Sequence, residues 1–142
     1  MEYISKNYIE KLLGEVSVPI LDKYLMSIVE NSLINKNEFR KYRYKKGEFL
    51  NKRWGYIINI VLTLKEIKKF QKLIVNHFED PSPWYMYGYN IKNKNELIVA
   101  FGSDDGNNGK IFIFDRKDKR SCNELKKYGL SKDIPEEELD IC

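Results

Sequence analysis

With 142 residues, 42% of them hydrophobic and 32% charged, the chain is long enough to bury a core of its own and too apolar to stay disordered. Its formal charge of +4 tolerates an anionic partner without requiring one. Two cysteines, Cys122 and Cys142, and the single histidine, His77, are too few for a structural zinc centre, which takes about four such ligands.

Taken in chain order, Ile4-Ser5-Lys6-Asn7-Tyr8-Ile9 reads as a capped helix start. Ser5 accepts from an early N–H, Ile4 and Ile9 staple the turn, and Gly14 stops it. A second helix is expected from Pro19. Leu21, Tyr24, Leu25, Ile28, Val29 and Ser32 recur there at three- and four-residue spacing, and Asn35-Lys36-Asn37 ends the stripe. Between residues 38 and 62 two readings stay open. In one, Tyr42 and Tyr44 begin a strand that turns at Gly47 or Asn51 and returns through Tyr56–Leu62; in the other, the second helix runs on into Phe39–Tyr44. Thr63-Leu64-Lys65-Glu66 is a capping box, and Ile67, Phe70, Ile74 and Phe78 form the buried stripe of a helix that Pro81 terminates.

Three strands then follow: Trp84–Ile91, Glu96–Phe101 and Lys110–Phe114. Short connectors make them an antiparallel meander. In the first, Tyr85, Tyr87 and Tyr89 share one face, and Trp84 and Met86 the other. A last helix starts near Asp115 or Asp118 and ends at Gly129, with one further turn at Ile134-Pro135-Glu136 before an acidic tail. The fold class is therefore α+β: an antiparallel sheet of about four or five strands, built from a β-hairpin, a helix and a three-stranded meander, packed with N-terminal and C-terminal helices. A single domain spans residues 1–142, with an N-terminal helical segment over 1–37 and a sheet-containing body over 38–142.

The sharpest local feature is the basic, aromatic stretch 36–54. Arg40, Lys41, Arg43, Lys45, Lys46, Lys52 and Arg53 alternate with Phe39, Tyr42, Tyr44, Phe49 and Trp54. The cations would neutralise phosphates, and a ring such as Trp54 would stack on an unpaired base. As a purely structural feature the same stretch is an edge hairpin whose lysines block sheet-to-sheet aggregation. Tyr85, Tyr87 and Tyr89, with Asp104 and Asp105 of the 103–109 loop, are the candidate contacts for a protein partner. Asp104, Asp105 and Asp115 together are the least favoured candidate, a metal-assisted hydrolase. Adjacent carboxylates point to opposite sides of a strand tip, and the spacing fits neither an EF-hand nor a P-loop. The loop residues otherwise suit a β-turn. His77 has no nucleophile and orienting carboxylate in a recognisable motif around it. The tail carries Asp133, Glu136, Glu137, Glu138 and Asp140 with no base after Lys132, a solvated end or a clamp for a basic surface.

The longest nearly apolar run, Gly55–Leu62, is interrupted by Asn59 and too short to cross a bilayer. Charges run through the apolar positions of the N-terminal residues, unlike a signal peptide. The expectation is a cytoplasmic protein with two free thiols and neither catalytic residues nor a cofactor or metal. It acts through an unidentified protein partner, or through nucleic acid, with self-association open and no membrane contact.

Overall fold

The computed structural model describes residues 22–35, 37–74, 84–102 and 109–142. The first expected helix, His77 and the Asp104–Asp105 pair lie outside the described residues. Six strands form one open, wholly antiparallel sheet among those described: β1 (Lys23–Val29), β2 (Tyr44–Asn51), β3 (Gly55–Thr63), β4 (Tyr85–Asn90), β5 (Asn93–Phe101) and β6 (Ile111–Asp115). Their spatial order is β2-β3-β1-β4-β5-β6. Two α-helices, α1 (Leu64–Gln71) and α2 (Lys119–Ser131), pack on opposite faces.

The largest departure from expectation is β1. Residues assigned to the second helix form a central strand, hydrogen-bonded to β3 on one side and β4 on the other. Tyr24, Met26 and Ile28 are buried on one face, while Leu25, Ser27 and Val29 are half-buried on the other. Tyr24, Leu25, Ile28 and Val29 satisfy a helical spacing, but a segment apolar on both faces satisfies a central strand equally well. Pairing on both edges, which local spacing does not reveal, decides the matter.

The basic stretch forms the β2–β3 hairpin, turning after Asn51. Asn51 Oδ1 accepts from the Trp54 N–H at 2.9 Å, and Gly55 adopts φ 77°. A Cβ at Gly55 would also lie 2.7 Å from Glu30 Oε1, which accepts from the Tyr56 N–H. Helix α1 begins at the expected capping box. Thr63 Oγ1 accepts from the Glu66 N–H at 3.3 Å, and Glu66 Oε1 accepts from the Thr63 N–H at 2.9 Å. The helix closes at Gln71, short of the expected Phe78; beyond it, Ile74 forms an isolated bridge with Leu33. Ile67 and Phe70 are fully buried against Met26, Ile58, Ile60 and Met86, each contributing about 1.5–3 kcal/mol of apolar burial.

The meander β4–β5–β6 forms as expected. Helix α2 is capped by Asp118, which accepts from the backbone N–H groups of Arg120 and Ser121 and from the Ser121 hydroxyl. Those bonds, the hydroxyl's first, hold the Asp118 carboxyl below its ordinary pKa. Leu125 and Cys122 pack on Leu97, Val99, Phe101 and Phe114. After Asp133, in the left-handed region at φ 63°, the tail folds back as a 3-10 turn over Glu136–Leu139. Leu139 is buried, and a Cβ at Gly129 would meet its Cδ2 at 2.6 Å.

That return corrects the expectation of two free thiols: Cys142 meets the first turn of α2 and forms a disulfide with Cys122, with Cα atoms 6.3 Å apart. Among the described residues no helix is long and apolar enough to cross a membrane.

Candidate functional site

Among the described residues, helix α2 and the tail cover the β4–β6 part of their face and reach the margin of β1 and β3. Cross-strand register lays out what remains in rows: Val61–Leu25–Tyr89–Leu97 and Lys45–Asn59–Ser27–Tyr87–Val99, with Ile57 beside Val29. Leu97 and Val99 lie under α2. The other half of the face is an open floor of half-buried Leu25, Val29, Ile57 and Val61 around the polar pair Ser27 and Asn59. Tyr87, 44% exposed, stands at its edge. Two recesses run along it. One, about 600 Å³, is lined by Leu25, Arg43, Lys45, Asn59, Tyr89 and Lys94. The other, about 350 Å³, lies between Ser27, Asn59, Tyr87, Arg116 and Ile141.

The rim is asymmetric. Arg43, Lys45 and Lys94 surround the larger recess, and Arg116 donates from Nη2 to the Lys94 carbonyl at 3.2 Å, which brings two cations to one side. Past Arg43 and Val61 a third recess, about 590 Å³, continues to Lys23 and Lys92, with Glu66 on its wall. Among the described residues no carboxylate lies within ion-pairing distance of Arg43, Lys45 or Lys94. The opposite end is acidic. A small cavity there is bounded by Val29, Ile57, Tyr87 and Glu138. Tyr85 donates its hydroxyl to the Glu138 carbonyl. Burial first, then Glu138, Tyr87 and Asp140, push the Tyr85 phenol well above its ordinary pKa.

The sheet thus splits the basic stretch that the sequence presents as one patch. Arg43 and Lys45 reach the open face. Lys41 pairs with Glu38 at 3.2 Å on the α1 side, where Glu38 also lies 3.9 Å from Lys69. Lys46 is 3.8 Å from Glu30 and sits over the Tyr56 ring. Arg40 is exposed in the 3-10 turn before β2, and Lys52 and Arg53 occupy the hairpin turn, Arg53 over the Trp54 ring. Trp54 packs edge-to-face on Trp84 and is half-exposed. The tyrosines of β4 do share the α2 face, but Tyr85 is tied to the tail and Tyr89 is half-buried, so Tyr87 is the one fully presented. Asp115 caps its own turn, accepting from the Lys117 N–H at 2.8 Å. Among the described residues no three His, Cys, Asp or Glu side chains cluster as metal ligands.

Sequence reasoning missed the floor itself and the cations Lys94 and Arg116. Two signals pointed to the floor: Ser27 within an apolar stripe and Asn59 within the most apolar run of the chain. They turn out to be direct cross-strand partners. Compared with family models, curated proteins and solved structures, the chain matches none.

Proposed function

We propose that this chain is a non-enzymatic binding protein whose open half-sheet receives an acidic segment of a partner protein. The observation that carries the reading is the coincidence, on one face, of an aliphatic floor with a polar centre and a rim of cations that meet no carboxylate among the described residues. An apolar centre ringed by polar groups and carrying Tyr and Arg is the composition of a protein interface. The rim charges select an acidic partner and speed its approach more than they add affinity. Leu, Val and Ile floor residues favour a protein over nucleic acid, because bases need aromatic planes and the floor's centre is aliphatic, with exposed Tyr44 and Tyr87 only bordering it.

Single-stranded nucleic acid is the second reading, favoured by Tyr44 and Tyr89 lining the same recess as Arg43 and Lys45. Fluorescence anisotropy with two labelled probes separates them: an amphipathic peptide with a leucine face and a glutamate face, and an oligothymidine. The proposal predicts saturable binding of the peptide, weakened about tenfold or more by Arg43→Glu with Lys45→Glu and by moderate salt. Tighter binding of the oligothymidine supports the second reading, and binding of neither probe contradicts both.

A further inference from the structure

The tail that borders the open face is fastened by a covalent bond. Cys142 is exposed, whereas Cys122 is 9% exposed on the first turn of α2. Between the buried anchor Leu139 and the disulfide lie only Asp140 and Ile141. Ile141 is half-buried against the α2-side core and forms the wall of the recess that holds Ser27, Asn59 and Tyr87. Asp140 brings a negative charge to the same border, close enough to help raise the Tyr85 pKa. Glu136–Leu139 has attachments of its own, through Leu139 on Gly129 and the Glu138 carbonyl on Tyr85. The last three residues are held by the Ile141 side chain, a bond from the Ile141 N–H to the neighbouring Leu139 carbonyl at 2.9 Å and the disulfide.

We propose that the Cys122–Cys142 disulfide is a redox latch on the open face: its reduction frees Asp140–Cys142, removes the Ile141 wall and enlarges the surface offered to an acidic partner. The inference rests on reading that face as the interaction surface. The reductant is a dithiol. One thiolate attacks the exposed Cys142 sulfur, the S–S bond breaks, and Cys122 leaves as a thiolate that takes up a proton. The second thiol of the reductant then displaces Cys142 from the mixed disulfide. Two electrons pass to the protein, which ends with two thiols, and the reductant ends as its own disulfide. Loss of Ile141 opens apolar floor, and loss of Asp140 from the rim raises the local positive potential, so both changes favour an acidic ligand.

The test uses the full chain, oxidised or treated with dithiothreitol, and its Cys142→Ser variant, which alters an exposed position. Carboxypeptidase trimming reads release of the tail, and anisotropy with the leucine–glutamate peptide reads the face. The latch predicts trimming through Asp140 only in the reduced chain and the variant. It also predicts peptide binding about threefold or more tighter in both, with no further response of the variant to dithiothreitol. Trimming without a change in affinity overturns the latch and leaves the binding face standing. Absence of peptide binding in every state removes the latch together with the face. A chain trimmed equally when oxidised overturns the latch at its first step.

Discussion

Ser27 donates its hydroxyl to Asn59 Oδ1 at 3.1 Å, across directly paired positions of β1 and β3 and in the middle of an aliphatic floor. Both side chains are half-buried, so the bond spares each a solvation loss without hiding either from a ligand. Ser27→Ala and Asn59→Ala are each expected to cost about 1 kcal/mol in urea denaturation. The double variant should cost less than their sum, with a coupling of about 0.5–1 kcal/mol, because either single change already breaks the bond. Additive losses would mean that the two groups act separately.

Gly88 lies opposite Met26 in the β1–β4 pairing. A Cβ there would stand 2.0 Å from the Leu25 carbonyl oxygen and 2.8 Å from the Met26 Cα. These are backbone atoms of a central strand and have no room to give. Gly88→Ala is therefore expected to lower stability by about 3 kcal/mol or more, seen as a lower thermal midpoint. An unchanged midpoint would contradict the β1–β4 pairing.

Tyr24 is buried on the α1 face, and desolvation, followed by Glu96 and Asp22, pushes its phenol up to about 12 from the ordinary 10.0. In the window between those values the unfolded chain has lost the proton and the folded chain keeps it. The folded state then binds more protons, and stability falls as pH rises. The contribution is whole below pH 10.0 and lost on passing through about 12. Tyr85, raised for a similar reason, adds to the same alkaline loss. Denaturant midpoints measured across this window should decline less steeply in Tyr24→Phe than in the parent chain.

Local chemistry was readable where the signal is short-range. The Thr63–Glu66 capping box, a helix start near Asp115 or Asp118 and the alternation of Tyr85, Met86 and Tyr87 all appear in the sequence and in the fold. Segment 23–29 was not readable because its central place depends on β3 and β4, more than 25 residues downstream by the register Lys23↔Thr63 and Tyr24↔Asn90. The disulfide was not favoured from the sequence for a related reason. Residues 122 and 142 are brought together by Leu139 packing on Gly129, a tertiary contact without a motif. For the site, composition identified basic residues, and topology chose among them. Glu38 and Glu30 draw Lys41 and Lys46 away, while Lys94 and Arg116 join Arg43 and Lys45 from the far side of the sheet.

The most direct measurement places a photo-cross-linking benzoylphenylalanine at Tyr87 on the open face, or at exposed Lys68 on α1, and irradiates each variant in host extract. The account predicts a nuclease-resistant protein adduct at position 87 that weakens with Arg43→Glu and is missing at position 68. Adducts at position 68 alone, or adducts at 87 destroyed by nuclease, would contradict it.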